Sequence, residues 1–264
     1  MRKMSKTIIC LLLLAILVSV AGCSSADTVK IGSMADLEGK LIGVQSGTTG
    51  DTLASDAALK AKSVERFPQY VDVISALKQK KVDCAVMDVD TATVYLKANS
   101  DLTLLDVGFE AEQYAVAVQK GDSDLLTAIN AVIAEMKADG SLATSMAAHA
   151  EQGGSAPDYN TDGQNGTLIV GTEAGFPPYE YTSGDNIIGT DIDIMARVAE
   201  KLDMKLVVEN MAFDGLITAL TTGKVDAVAA GMTINDERKV NVDFSDPYVD
   251  ATNIVVIRKT SAVQ

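Results

Sequence analysis

The sequence contains one pattern twice: VDVISALKQKKVDCAVMD at residues 71–88 and FDGLITALTTGKVDAVAAG at residues 213–231. In both segments an Ala-Leu pair is followed, four residues after the Leu, by Lys-Val-Asp and then by a short apolar run. An amphipathic helix, a turn and a buried strand would give this pattern. The repeat therefore indicates two similar units, each with a helix that leads into a strand.

Strand and helix patterns alternate around the two units. We predict strands at residues 41–44, 168–171, 206–208 and 253–257. Apolar residues at helical spacing predict one helix over 192–202 and another over 125–136, the latter capped by Ser123 and ended by Gly140. Strands that alternate with helices favour parallel sheets. The sequence thus predicts an α/β protein with two similar lobes.

The chain begins with features that resemble a bacterial lipoprotein signal. Arg2, Lys3 and Lys6 precede an apolar run over 7–20, and small residues stand directly before Cys23. The run is short for a membrane span of about 20 residues, so we expect cleavage before the cysteine rather than an uncleaved anchor. Cys23 would then carry lipid that ties the protein to the outer face of a membrane.

Composition excludes several classes of protein. Hydrophobic residues make up 47% of the chain and charged residues 22%, as in globular domains. The formal charge of −14 becomes −17 without residues 1–22, so we predict no nucleic-acid partner. Apart from Cys23, the mature chain keeps Cys84 alone, which predicts a buried thiol and no disulfide. The single histidine, His149, lacks Cys or His neighbours, so we expect a surface position and no metal site.

Several motifs in the second half carry a family resemblance. They are GTEAGFPPYEY at 171–181, IGTDIDI at 188–194, FDGLITAL at 213–220, KVDAVAAGMTINDER at 224–238 and VDFSDPY at 242–248. Residues 167–258 resemble the first lobe of the solute-binding proteins that serve ABC importers for polar amino acids. Residues 36–150, which open with DLEGKLIGVQSGTTGD, resemble the second lobe and the C-terminal return of the same family. The resemblance implies a two-lobed periplasmic binding protein-like II fold with a ligand cleft between the lobes.

The order of the two lobes is rotated relative to the family, so the resemblance implies a circular permutant with an unchanged fold. A fusion of two fragments is the alternative. The implied divisions are a signal peptide at 1–22, a tether at 23–35, lobe 2 at 36–112, a hinge strand and returning helices at 113–150, a linker at 151–166, lobe 1 at 167–252, and a hinge strand with the C-terminus at 253–264. The linker contains almost no apolar residue, which is typical of a flexible connection.

The resemblance places a ligand's α-carboxylate against Arg238 and Thr233. A bidentate guanidinium suits a carboxylate, although an ion pair of Arg238 with a neighbouring acidic residue is the plainer alternative. In the other lobe the amides around Thr48 and Thr49, at a strand-to-helix turn, would meet the same carboxylate. The GTTG motif alone is weak support, and it is not a P-loop.

For the ligand's α-ammonium the resemblance implies Asp88, assisted by the Gly231 carbonyl. Asp88 directly follows an apolar strand, where capping of the next helix is an equally good interpretation of the position alone. Phe176 and Phe213 match the aromatic pair that flanks the ligand's side chain. Most phenylalanines in such a protein are core residues, but Phe176 precedes two prolines on a loop.

Glu173 stands where an acidic residue of the family reaches a cationic end of the ligand. The two aromatic residues would add a cation–π contribution of about 0.5 to 2 kcal/mol. Arginine or lysine is therefore favoured, and glutamine, histidine or cystine stay open as ligands. The expected protein is an extracytoplasmic, lipid-anchored, monomeric receptor, in a periplasm or on an outer surface, which hands its ligand to an ABC permease. We expect no catalytic residue and no cofactor; a dehydratase-like enzyme, a sensor domain and an adhesive lipoprotein are the rival classes.

Overall fold

A computed structural model describes residues 29–151, 153–157 and 162–262. The predicted signal peptide, the lipidation site Cys23 and parts of the predicted tether and linker lie outside the described residues. Across these described ranges, no helix is both long enough and apolar enough to cross a membrane.

The first half of the chain builds one α/β layer structure, which we call the six-stranded lobe. Its strands are β1 (Leu41–Gln45), β2 (Ser63–Phe67), β3 (Cys84–Asp88), β4 (Leu102–Leu105), β5 (Ala111–Tyr114) and, from the end of the chain, β14 (Val249–Arg258). Its helices are α1 (Thr49–Ala54), α2 (Tyr70–Lys78) and α3 (Val89–Lys97). The strand order is β2-β1-β3-β14-β4, with β5 paired to β14. Strands β1, β2 and β3 are parallel, and β14 runs antiparallel to its neighbours.

The remaining elements form a second layer structure, the five-stranded lobe. Its sheet has the order β11-β7-β12-β6-β13, from β6 (Ala117–Gln119), β7 (Thr167–Thr172), β11 (Lys205–Asn210), β12 (Ala227–Val228) and β13 (Val242–Phe244). A small antiparallel sheet joins β8 (Gly175–Phe176), β9 (Glu180–Ser183) and β10 (Asn186–Ile188). The helices are α4 (Ser123–Ala138), α5 (Ser141–Ala150), α6 (Thr190–Leu202), α7 (Leu216–Thr221) and α8 (Asp236–Lys239). Helices α4 and α5 pack against α6.

The repeated Lys-Val-Asp motif has the same structural role in both lobes. Asp83 donates its backbone N–H to the Leu41 carbonyl at 2.7 Å and accepts the Leu41 N–H on its side chain at 2.9 Å. Asp226 makes the same two bonds with Ile169, both at 2.8 Å. Each aspartate thus ties the start of a central parallel strand to the turn before the next one. The repeat in the sequence is a repeat in the fold, and the prediction of two similar α/β lobes is confirmed.

Two chain segments cross between the lobes side by side. One links β5 to β6 and the other links β13 to β14. Tyr248 donates its N–H to the Tyr114 carbonyl at 2.9 Å, and Ser245 donates its N–H to the Val116 carbonyl at 2.9 Å. A paired double crossing is suited to bending, because few bonds resist rotation of one lobe against the other.

The described ends of the chain meet in the six-stranded lobe. Ile31 forms a parallel bridge with Ala262 and donates its N–H to the Ser261 carbonyl at 2.9 Å. The chain therefore closes on itself near the end of β14.

Two predictions about individual residues are wrong and one is confirmed. His149 is buried rather than on the surface, because its ring lies between the Tyr181 hydroxyl at 3.0 Å and the Asp193 carboxylate at 3.1 Å. Helix α4 is capped by Asp122 and not by Ser123: the Asp122 carboxylate accepts the Leu125 N–H at 3.1 Å. Cys84 is a buried free thiol as expected, and burial raises its pKa to about 12.

Candidate functional site

A narrow cavity lies between the two lobes, where the carboxyl ends of their parallel strands face each other. Ligand sites of α/β proteins form at these strand ends. Of the nine predicted binding residues, eight line this cavity: Thr48, Thr49, Asp88, Glu173, Phe176, Phe213, Gly231 and Thr233. Arg238 is not a lining residue, but it contacts Thr233 and Phe213, which are. The structure thus brings the predicted residues together, and their roles toward a ligand stay predictions.

Glu173 follows strand β7 and is buried, with 2% of its surface exposed. Its two carboxylate oxygens accept hydrogen bonds from the side-chain amides of Gln45 at 2.9 Å and Gln69 at 3.1 Å. Both glutamines belong to the six-stranded lobe, so these bonds cross the cavity between the lobes. Burial raises the pKa of Glu173, and the two amides partly offset that effect. The site therefore presents a desolvated carboxylate whose environment favours a cationic partner.

Arg238 lies in the short helix α8 and is 8% exposed. Its guanidinium donates to the Thr233 carbonyl at 2.8 Å and, across the lobes, to the Gly47 carbonyl at 3.1 Å. The guanidinium carbon lies 5.3 Å from the centre of the Phe213 ring. Burial lowers its pKa. In this described region Asp236 pairs with Lys239 at 3.7 Å rather than with Arg238, so a surface ion pair does not account for the arginine.

Asp88 caps the next helix and also lines the cavity, and its role toward a ligand's α-ammonium stays a prediction. Its Oδ1 accepts the Asp90 N–H at 3.0 Å and thereby caps helix α3. Its Oδ2 accepts a hydrogen bond from the Tyr114 hydroxyl, and both residues line the cavity. Burial raises the pKa of Asp88 to about 7, and the Tyr114 bond opposes that rise. Near neutral pH this carboxyl can exchange a proton when a cation approaches it.

Thr49 and Thr233 close the cavity from opposite lobes. Their hydroxyl oxygens are 2.8 Å apart. Thr233 also donates to Glu112 at 2.9 Å, and Asn253 donates its side-chain amide to the other Glu112 oxygen at 2.8 Å. A polar chain therefore runs from one lobe, through Glu112 beside the crossing, to the other lobe.

The aromatic wall is larger than the sequence indicated. Phe176 is buried and stacks on Tyr179, with ring centres 5.4 Å apart, and on Tyr70, with ring centres 5.8 Å apart. Gly231 has a positive φ of 52°, and a Cβ there would come within 2.3 Å of the Phe176 ring. The packing of Phe176 therefore requires glycine at position 231.

Thr48 shapes its turn rather than bridging the lobes. Its hydroxyl donates to the Gln45 carbonyl at 2.9 Å and accepts the Asp51 N–H at 3.2 Å, which caps helix α1. The α1 amino end is thereby fixed at the cavity wall.

Two further bonds join the lobes outside the cavity. The Tyr95 hydroxyl donates to the Gly175 carbonyl at 2.9 Å, and the Tyr179 hydroxyl donates to Asp90 at 2.7 Å. Together with the bonds across the cavity, they hold the lobes in a closed arrangement.

The sequence did not indicate five of the residues that line the cavity, namely Tyr70, Glu112, Tyr114, Ala230 and Asn253, nor Gln69, which holds Glu173. Tyr70, Glu112, Tyr114 and Asn253 lie in elements whose pattern is explained by strand or helix formation alone. The described residues contain no cluster of three or more side chains suited to a metal ion.

Two α/β lobes joined by a double crossing, with a charged cavity at the carboxyl ends of their strands, define a two-lobed fold with an interlobe cleft of the kind in which ligands bind. Residues 168–263 match the family of bacterial extracellular solute-binding proteins, family 3.

Comparison with known proteins gives several partial matches. Over 97 residues the chain is 45% identical to the arginine-binding extracellular protein ArtP of Bacillus subtilis (strain 168). This match covers 37% of this chain and 38% of ArtP. Over 95 residues it is 36% identical to a probable histidine-binding protein of Campylobacter jejuni, which covers 36% of this chain and 37% of that protein. The crystal structure of the arginine-bound form of domain 1 from TmArgBP matches with 38% identity and a TM-score of 0.31, over 36% of this chain and 82% of that one. The chain thus spans less than two fifths of the length of either curated relative.

Proposed function

We propose that the protein is an extracytoplasmic receptor that captures a cationic L-amino acid, arginine or lysine, between its lobes and delivers it to an ABC importer. The observation that carries this proposal is the position of Glu173, a buried carboxylate aimed across the cavity and fixed by two glutamines of the opposite lobe. An uncompensated buried carboxylate is costly, and a cationic ligand would supply the missing charge. The name of ArtP, an arginine-binding protein, agrees with this choice.

The charges around the cavity complement a dibasic amino acid. Asp88, Glu112 and Glu173 supply three carboxyl groups, and Arg238 supplies one guanidinium. A dibasic amino acid carries one carboxylate and two cationic groups. An anionic side chain would face carboxylates without a free cation, so aspartate and glutamate are poor candidates.

Each part of the ligand has a partner in this arrangement. The α-carboxylate would replace carbonyl partners of Arg238 and approach the amides at Thr48 and Thr49. The α-ammonium would bind Asp88 and the Gly231 carbonyl. The side chain would lie against Phe176 and Phe213 and place its cationic end at Glu173, the one residue of the set that meets it as a counter-ion.

Capture would occur by closure of the lobes on the ligand. Because the proposed partners are divided between both lobes, a bound ligand gains its full set of contacts only in the closed state. The ligand would therefore shift the population toward closure, and the closed form would dock on the permease. No covalent step is needed, so the proposed role is binding and not catalysis.

Other ligands and one other function are the alternatives. Glutamine, histidine or cystine would fit the same binding role, and a dehydratase-like enzyme is the less favoured function.

The proposed location is the outer face of the cell membrane, with the protein a monomer held by lipid on Cys23. Support comes from the sequence of residues 1–23 and from the extracellular family over 168–263. Replacement of Cys23 by serine should release the protein from the membrane fraction. Retention of the serine variant in membranes would exclude the lipid anchor.

We also propose that the chain is a circular permutant of its family. The meeting of Ile31 with Ala262 supports this, because a direct link between these ends would need little rearrangement. A variant that joins the two ends and opens the chain within residues 151–166 should fold and bind the same ligand. Failure of that variant to fold would favour a fusion of fragments.

A thermal-shift panel tests the proposed function. The protein is unfolded and refolded to remove bound ligand, and is then scanned with each of the twenty amino acids, ornithine and cystine. A ligand that binds only the folded state raises the melting temperature. A rise with arginine or lysine is expected. A rise with a neutral amino acid alone would refute the role of Glu173, and no rise with any compound would refute the function.

A further inference from the structure

Two carboxyl groups are buried together behind the Phe176 and Gly231 wall of the cavity. Glu180 lies in strand β9 and Asp191 in the first turn of helix α6, and each is 0% exposed. Neither residue lines the cavity, so the ligand proposed above would not touch them.

The hydrogen bonds of this pair are unevenly distributed. Asp191 Oδ2 accepts the Gly231 backbone N–H at 2.9 Å and the Tyr248 hydroxyl at 2.7 Å. The opposite oxygen, Asp191 Oδ1, and both oxygens of Glu180 are buried without a hydrogen-bond partner in the described part of the protein. Buried polar atoms without partners are rare in folded proteins and cost free energy. A proton placed between the two carboxyl groups gives partners to both.

The surrounding charges oppose ionisation of Glu180. The charged groups that act most strongly on Glu180 are carboxylates: Asp191 on α6, Glu173 after β7 and Asp88 at the end of β3. Tyr248 at the crossing and Tyr179 beside β9 are uncharged neighbours of the pair. Burial, followed by the Asp191 charge, raises the pKa of Glu180 well above its usual value. Burial raises the pKa of Asp191 to about 6, against the bonds from Gly231, Tyr248 and Glu180.

We propose that Glu180 and Asp191 share one proton at neutral pH, with Glu180 as the donor. Asp191 is thereby a positioning residue that links the cavity wall at Gly231 to the lobe crossing at Tyr248. The carboxylate of Asp191 accepts hydrogen bonds from Gly231 at the cavity wall and from Tyr248 at the lobe crossing. Phe176 packs closely against Gly231, so that a Cβ at this position would come within 2.3 Å of the Phe176 ring. Tyr248 is bonded through its backbone to Tyr114 on the other crossing segment. The effect on ligand affinity rests on the proposed function, whereas the shared proton does not.

The shared proton is tested by the pH dependence of unfolding. A carboxyl with a raised folded-state pKa keeps its proton where the unfolded chain has lost it, so stability is greatest at low pH and falls as pH rises toward the folded-state pKa. Each proton kept in this way changes the unfolding equilibrium constant tenfold per pH unit. Between pH 6.5 and 8 the ligand-free wild type should therefore lose stability more steeply than Glu180→Gln, by one such tenfold factor per unit. The amide of glutamine donates at every pH and has no proton to lose.

Two controls keep this test decisive. Glu209→Gln changes an exposed carboxyl of the same lobe and should keep the wild-type slope. If Glu180→Gln failed to fold, unfolding of the wild type at pH 7.5 in weakly buffered solution should release about one proton per chain. Equal slopes for Glu180→Gln and wild type, or no proton release from the wild type, would overturn the shared proton.

The positioning role is tested by ligand affinity. Asp191→Ala removes the acceptor of Gly231 and should weaken arginine binding at least tenfold in the folded protein. Asp193→Ala changes a carboxylate two residues along the same helix, which bonds Ser145 and His149 instead, and should leave affinity within twofold of wild type. Tyr248→Phe, which keeps the packing, replaces Asp191→Ala if that variant does not fold. Equal affinities for the Asp191 and Asp193 variants would overturn positioning, whereas a wild type that binds no amino acid would refute the proposed function and leave the proton test intact.

Discussion

Under the proposed function, Glu173→Gln should abolish the preference for cationic ligands. The substitution keeps the shape of the side chain and removes its charge. Glu173 is 2% exposed and is already held by two amides, so water cannot replace the lost carboxylate. Loss of one partner of a buried charge pair costs about 2 to 5 kcal/mol, which is about 30-fold to 4,000-fold in affinity.

The assay compares arginine with citrulline, which has nearly the same shape and a neutral end. Calorimetric titration of both compounds into wild type and Glu173→Gln gives four dissociation constants. Arginine should weaken at least 30-fold in the variant, whereas citrulline should change by less than about threefold. Glu209→Gln, an exposed carboxyl of the same lobe, is the matched control and should change neither. Equal losses of arginine and citrulline would refute the reasoning, because they would show that Glu173 supports the fold of the site and not the charge of the ligand.

Three further outcomes follow from the geometry. Arg238→Ala should lower amino-acid affinity at least a thousandfold with an unchanged circular dichroism spectrum, and near-normal affinity would remove Arg238 from the site. The pKa of Asp88 is raised to about 7, and a bound ammonium should lower it, so ligand binding at pH 6 should release up to one proton from the protein. Calorimetry in buffers of different ionisation enthalpy measures this proton release, and zero release contradicts the prediction. Tyr95→Phe removes a bond between the closed lobes and should weaken binding by about twofold to tenfold without loss of thermal stability. Tyr181→Phe removes a bond within one lobe and, as the control, should not weaken binding.

Much of the fold was predictable because its signals are local. The spacing of Ala-Leu and Lys-Val-Asp gives a helix, a turn and a strand within about 18 residues, and the structure contains that unit in each lobe. Asp88 was also assignable, since a strand end followed by a helix needs a cap. These local signals located the elements, but they did not fix the cap of α4, which is Asp122 rather than Ser123.

The missed residues depend on contacts between distant parts of the chain. Gln69 and Glu173 are 104 residues apart, and Glu112 joins Asn253 over 141 residues. No periodicity in the sequence specifies which side chains the two crossings bring together. His149 shows the same limit. Its helix has many small residues, so the burial of His149 depends on Asp193 and Tyr181, which lie in other elements of the same lobe, and not on its neighbours in sequence.

The buried pair of Glu180 and Asp191 is a third example. In the sequence both are ordinary acidic residues in segments rich in polar side chains, which suggests exposure. The structure buries them because β9 and the start of α6 pack behind the cavity wall. Only the fold reveals that one carboxylate contacts both Gly231 and Tyr248.

The most direct test of the central claim is calorimetric titration of refolded, ligand-free protein with L-arginine at pH 7.5. Saturable binding of one arginine per chain is expected, together with a more compact scattering profile as the lobes close. Absence of binding heat for arginine and for lysine, in a protein whose circular dichroism shows the refolded α/β structure, would contradict the claim that the cavity is a site for a cationic amino acid.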